Sequence, residues 1–216
     1  MYINIIVVTK NASIAVRTLH NILNINGIAI QKENVQIEIS FVSDDPFEKT
    51  KLIMKKLKTC DRILFLEYGI SMDMESIKKI FEPLYQGYNC LVFPCVTPGI
   101  NWNNFKHKIQ KDVKEPPYQM GLEFDTQVSQ KLKDDYYKVV KTDPRVWMID
   151  SKTVFKTLKP KKGNDPIKLP AQNHEIFEKF LEKGIKIYAF VDAKIIITYQ
   201  HECLSNILES SGINKE

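Results

Sequence analysis

The chain has 216 residues, 44% of them hydrophobic and 26% charged, with a net charge of +5; that is enough for one sizeable core, and the mild basic excess suits a phosphate-bearing small ligand without calling for nucleic acid. Cys60, Cys90, Cys95 and Cys203 are too few and too scattered for a secreted disulfide framework and form no zinc-like set of pairs. No run approaches the roughly 18–20 apolar residues of a membrane span, and the short apolar stretch Ile3–Val8 lacks the basic start of a signal peptide, so the expectation is a cytoplasmic protein kept in a reducing compartment.

Tyr2 to Val8 is nearly all apolar and reads as a strand buried on both faces. Asn11 or Ser13 is placed to cap a helix reaching about residue 25, with Val16, Leu19 and Leu23 inward and Gly27 as its stop. Val35 to Val42 alternates and ends in Ser43-Asp44-Asp45. The run Asp45-Pro46-Phe47-Glu48 carries three agreeing helix-start signals, and that helix runs to about Lys58. Arg62 to Leu66 is a third strand, followed by a helix from about Asp73 to Tyr85, and Cys90 to Pro94 is a fourth. Strands alternating with helices predict an α/β fold with a mostly parallel, Rossmann-like sheet flanked by helices. Ligands of such sheets sit beyond the carboxyl ends of the strands. There the polar ends Thr9-Lys10-Asn11, Ser43-Asp44-Asp45, Glu67-Tyr68-Gly69 and Cys95-Val96-Thr97 should share one crevice.

From 98 to 145 the periodicity weakens, and short helices are expected near 102–111 and 126–133. Val146 to Asp150 is a short strand, Ser151 to Leu158 a helix, and the Lys- and Pro-rich stretch 159–170 a mobile loop. Gln172 to Lys183 is an amphipathic helix stopped by Gly184. Ile185 to Thr198 holds one or two strands broken near Asp192. A single domain over 1–210, with a frayed tail at 211–216, is the simplest division.

This order resembles the GT-A-fold glycosyltransferases, the nucleotide-diphospho-sugar transferases. The segments that carry the resemblance are VVTKNASIAVRTLHNIL, VQIEISFVSDD, DRILFLEYGISMDMESIKKIFEPL, VWMIDSKTVFKTL and NHEIFEKFLEKGIKIYAFVDAKIIITYQH. It spans most of residues 1–203 as a pattern with few strict identities. The resemblance implies a GT-A-like single domain that moves a sugar from a nucleotide-sugar donor to a glycan or protein hydroxyl. It also implies donor contacts at Thr9, Asn11, Arg17, Asp44 and Glu67. A GT-A-like domain without transferase activity, acting as a binding or assembly module, is the alternative.

Two positions depart from the family pattern. Its Asp-x-Asp metal motif reads Glu67-Tyr68-Gly69, and its catalytic Glu-Asp pair falls on Gln172-Asn173. Amides accept no proton at neutral pH, which leaves Glu175, one turn along, as the candidate catalytic base. Glu67 with His201 would form a weak Mn²⁺ or Mg²⁺ site, since one carboxylate plus a diphosphate can hold such an ion. A metal-free route stands beside it, with Lys10, Arg17 or a lysine of 159–162 facing the leaving diphosphate. Each residue also has a plainer reading: Glu67 as a salt-bridged strand end, Asp45 as a helix cap, Thr9 and Asn11 as a turn, and Trp102 as core rather than a sugar-stacking ring.

Overall fold

The computed structural model describes residues 1–97, 99–159 and 167–197. Ten strands and six α-helices follow one another as β1 (Tyr2–Thr9), α1 (Val16–Ile30), β2 (Gln36–Ser43), α2 (Pro46–Lys56), β3 (Arg62–Leu66), β4 (Ile70–Met72), α3 (Met74–Lys79), β5 (Cys90–Val92), α4 (Trp102–Gln110), β6 (Thr126–Lys133), β7 (Tyr136–Thr142), β8 (Val146–Asp150), α5 (Ser151–Leu158), α6 (Asn173–Glu182), β9 (Ile187–Phe190) and β10 (Ile195–Ile197). Eight strands form one sheet in the order β2-β1-β3-β8-β5-β9-β7-β6, and β4 pairs with β10 in a small second sheet. Strands β2, β1, β3, β5 and β9 run in one direction. Strand β8 runs against both its neighbours, and β7 against β9. The fold is the α/β class expected: a mixed, largely parallel sheet flanked by helices.

The continuous apolar strands divide by alternation, as period-two geometry requires. Ile6, Val8, Ile63, Phe65, Val92, Trp147 and Ile149 enter one core, under α2, α5 and α6. Ile3, Ile5, Val7, Leu64, Leu66, Leu91, Phe93 and Met148 enter the other, under α1 and α3. Trp147 is fully buried; its ring stacks on Phe65 at 5.0 Å between centroids and meets the Phe177 ring nearly edge-on at 5.5 Å. Those contacts pin the centre of β8 to β3 below and α6 above.

Several local expectations are corrected. The inward face of α1 is Thr18, Asn21, Ile22, Ile25 and Ala29, while Val16, Leu19 and Leu23 are exposed. The Thr18 hydroxyl donates to the Ile70 carbonyl at 2.8 Å, so a polar tether to β4 sets the rotation of the helix. Helix α1 also runs through Gly27, because Ile25 and Ala29 on either side are both buried, and its N-cap is Ala15 with no side-chain capping bond. Residues 126–133 are a strand, not a helix. They pair with β7 as a polar edge strand with register shifts, and such an edge shows little hydrophobic alternation to read. Helix α3 stops at Lys79, and the three residues before its cap, Ile70–Met72, form β4. Trp102 is exposed, with its ring edge-on to Phe105.

Truncating Trp147 to Ala should lower unfolding stability by about 4 kcal/mol, measured by guanidinium denaturation, since no side chain can refill a volume closed on both faces.

Candidate functional site

The carboxyl ends of β1, β2 and β3 carry Lys10, Asp44 and Glu67. Because β8 runs the opposite way, its entry, Asp143-Pro144-Arg145, lies at the same edge. Together with Lys49, Tyr68 and Asn173 these residues line a cleft of about 270 Å³. A second depression of about 100 Å³ adjoins it and shares Lys49, Glu67, Asp143 and Asn173; its remaining walls are Pro46, Thr50, Ile53, Phe65 and residues 171, 172, 174 and 176.

Local sequence explains how the charges reach this edge. Asp45 accepts the Glu48 amide hydrogen at 2.8 Å, Pro46 opens α2, and Ser43 donates to the Glu48 carboxylate. The Asp45 cap, with Glu48 tied back to Ser43, fixes the first turn of α2 at the end of β2, leaves Asp44 to the cleft, and turns the next residue, Lys49, inward. The Lys49 ammonium lies 2.9 Å from Asp44 Oδ1 and 3.5 Å from Glu67 Oε1. Lys10 Nζ approaches Asp44 Oδ2 at 3.2 Å and sits 5.6 Å from the Tyr68 ring centroid. The Lys49 and Glu67 side chains are only 17% and 18% exposed. Burial pushes the Glu67 carboxyl above its usual range; Lys49 and Arg145 offset this in part, while the neighbouring Asp44 charge adds to it. Burial would likewise pull Lys49 down, but Glu67 and Asp44 outweigh it and hold the ammonium's pKa above normal. For Asp44 the cost of burial is exceeded by its two lysines, and its carboxyl lies below the usual range.

Behind the cleft, Asp125 ties the incoming strands together. It accepts from the Cys95 amide at 3.2 Å and thiol at 2.9 Å, the Thr126 hydroxyl at 2.8 Å and the Arg145 amide at 3.4 Å. Burial raises the Asp125 pKa, with these donors opposing. The Glu67 amide donates to the Arg145 carbonyl at 3.0 Å, so Arg145 is held by its backbone on both sides. Its guanidinium has no hydrogen-bond partner among the described residues. Asn173, at the start of α6, donates to Asp143 Oδ1 and to the Pro144 carbonyl, both at 2.9 Å.

Of the residues singled out from sequence, Lys10, Asp44 and Glu67 meet in the cleft. The Thr9 hydroxyl is turned to the Val42 carbonyl at 3.0 Å. Asn11 is exposed in a turn with φ of 50°; Arg17 is exposed on α1, and Glu175 is exposed in the first turn of α6, and none of the three lines either depression. His201 lies outside the described residues, as do 160–166 of the loop. Lys49, Asp143 and Arg145 carry no site signal in the sequence, and Asn173 stands out there only as one of the two amides at the family's catalytic-pair position. Lys49 hides among the helix lysines of the sequence. Asp143 and Arg145 begin a strand whose reversed direction the sequence does not announce.

The resemblance implies a divalent metal at Glu67, and the described residues do not fit one as they stand. Among them no three His, Cys, Asp or Glu side chains come together as a metal-binding group. Asp44 and Glu67 flank Lys49, whose ammonium fills the space between them. Gly69, where the family's second acid would sit, has φ of 77°, a left-handed conformation that side-chain-bearing residues adopt at a cost.

No protein-family profile matches the chain, and no curated protein sequence matches it. Among solved structures, A197 from STIV is similar over 93% of this chain and 87% of its own length, with a TM-score of 0.54 and 11% identity. A putative glucose-1-phosphate thymidylyltransferase from Bacillus anthracis, solved in complex with a sucrose, aligns over 99% of this chain and 96% of its own at 8% identity and a TM-score of 0.48. GalNAc-T7 with UDP, GalNAc and Mn²⁺ aligns over 93% of this chain and 44% of its own at 10% identity and a TM-score of 0.45. At such identities the likeness is one of fold, and of these three only A197 exceeds a TM-score of 0.5.

Two substitutions should respond to acid with opposite signs. Glu67 has a raised folded pKa. As pH climbs through its ordinary value of 4.5 the unfolded chain ionises first, and wild-type stability falls until the folded value is passed. Glu67→Gln should therefore gain on wild type across that rise. Asp44 has a lowered folded pKa, so its contribution is present above 3.8 and is lost as pH falls through the folded value. Asp44→Asn should lose to wild type most above 3.8 and least below the folded value. Urea denaturation across the acid range measures both. Separately, Asp125→Ala should cost about 3 kcal/mol, because it leaves buried donors of Cys95, Thr126 and Arg145 without an acceptor.

Proposed function

We propose that this chain binds a nucleotide-sugar and transfers the sugar to a hydroxyl of a glycan or protein acceptor. The observation that carries this reading is the gathering of Lys10, Lys49 and Arg145 around Glu67 and Asp44 at the carboxyl edge of a largely parallel sheet, the place where such sheets take their ligands. In the transfer the bond from the anomeric carbon to the diphosphate oxygen breaks as a bond to the acceptor oxygen forms. The leaving diphosphate gathers negative charge, which the lysines and Arg145 meet with charge-assisted hydrogen bonds. The acceptor hydroxyl gives up its proton to a carboxylate.

Asp143 is the carboxylate best placed for that proton. It lines both depressions, and Asn173 holds one of its oxygens. Glu175, the acid favoured from sequence, is the second candidate; it would need α6 to shift its first turn toward the cleft. A second reading, nucleotide-sugar binding without transfer, is favoured by one observation: the cleft position at the start of α6 holds an amide, Asn173, where the resemblance puts an acid.

Thermal-shift titration with UDP-, GDP- and CMP-sugars, followed by product analysis with the same donors, tests both readings. A donor held at about a hundred times its Kd should stabilise the fold by about 2.7 kcal/mol. Asp143→Asn should keep that shift and lose turnover by about a hundredfold or more. If turnover survives in Asp143→Asn and falls in Glu175→Gln, the base is Glu175. Binding with no released nucleotide under any acceptor would leave only the binding module.

A further inference from the structure

Lys49 is an unusual neighbour for two carboxylates at a ligand-binding edge. It is not a long surface lysine that happens to reach an acid. It issues from the first turns of a capped helix, is mostly buried, and lies 2.9 Å from Asp44 and 3.5 Å from Glu67. A divalent ion bridging those two carboxylates would need oxygen contacts of about 2.0–2.2 Å in the volume that the ammonium fills, and Lys49 would have to leave. Leaving would break the Lys49 contacts to both carboxylates at once.

We infer that Lys49 is the resident cation of this site, and that together with Lys10 and Arg145 it binds the diphosphate of a nucleotide ligand without a divalent metal. The inference rests on the nucleotide-sugar reading above and specifies how that site handles charge. An ammonium has three donors. Asp44 and Glu67 take two, which leaves one for a phosphate oxygen. The Arg145 guanidinium has its whole donor fork available among the described residues, and that planar fork suits two oxygens of a phosphate. Lys10 is the most exposed of the three, and among the described residues its one ion pair is with Asp44 Oδ2, beside a contact over the Tyr68 ring, so it can swing to a ligand without uncovering a buried charge. The carboxylates then act as holders of the lysines rather than as metal ligands. Glu67 fixes Lys49 from below, and Asp44 spans Lys49 and Lys10.

Isothermal titration of UDP, GDP and inorganic pyrophosphate into the full chain tests this, once with EDTA and once with excess MnCl₂. The variants are Lys49→Met, Lys49→Arg and the double variant Lys49→Met/Glu67→Gln, which removes the cation without leaving Glu67 buried and unpaired. At least one probe should bind wild type equally with EDTA and with MnCl₂. In EDTA both Met variants should weaken it by about tenfold to a hundredfold, the worth of one charge-assisted hydrogen bond, while Lys49→Arg retains most of the affinity. Melting curves of the double variant confirm that the fold is kept. Binding that appears only with MnCl₂ overturns the inference and leaves the nucleotide-sugar reading standing. EDTA-insensitive binding that survives in the double variant also overturns it, and reduces Lys49 to a counter-charge for Glu67. Failure of every probe in both conditions overturns this inference, and the nucleotide-sugar reading then rests on the CMP-sugar titration alone.

Discussion

Strand β8 hydrogen-bonds to β3 on one side and to β5 on the other, and among the described residues it is the one strand that joins the two halves of the eight-stranded sheet. Without it β2, β1 and β3 would form one small sheet and β5, β9, β7 and β6 another, each with an open edge in the middle of the molecule. Its residues therefore bear on both halves at once. Trp147 stacks on Phe65 from β3 and meets Phe177 from α6, while Val146 and Met148 enter the opposite core. A strand buried on both faces and paired on both edges has little freedom, and that rigidity passes to the residues at its entry.

The direction of β8 has a chemical result. A parallel strand would have delivered its last residues to the ligand edge; an antiparallel one delivers its first. Asp143 and Arg145 reach the cleft for that reason, and Asp125 and the Glu67 amide fix the Arg145 backbone from two sides. The cleft that results is balanced rather than strongly basic: three cations, Lys10, Lys49 and Arg145, stand among Asp44, Glu67 and Asp143. In such an arrangement an incoming anion competes with carboxylates that already hold the lysines. Selectivity then follows from geometry, from which donors remain unused, more than from net attraction.

The first four strands of the sheet and the capped start of α2 are legible in the sequence, because apolar runs, apolar-polar alternation and the Asp-Pro-x-Glu pattern each have one physical cause. The side of α1 is not. Its apolar residues suggest one face, but Thr18 and Asn21 turn inward because β4 offers a carbonyl that only a polar side chain can use. Strand β6 carries no strand signal in the sequence, since an exposed edge strand pairs through its backbone and leaves little trace in its side chains. At the site, Asp44 and Glu67 were legible as strand ends. In the sequence Lys49 is one lysine among many, set apart only by the helix cap and the two acids that fold around it, and Asp143 and Arg145 depend on a strand direction that no local pattern encodes.

The two tryptophans of the chain end up in opposite surroundings. Trp147 is sealed between Phe65 and Phe177, and its indole nitrogen has no hydrogen-bond partner among the described residues. Trp102 stands on α4, a helix with no buried side chain, and is 60% exposed. Light absorbed by the first is emitted from a dry, rigid site, and light absorbed by the second from a ring open to solvent. The intrinsic fluorescence of the folded protein is thus a sum of a blue, quencher-resistant component that reports on the seam of the sheet and a red, quenchable one that reports on the rim. A partner that settles on α4 would alter the second without touching the first, so one spectrum separates events at the surface from events in the core.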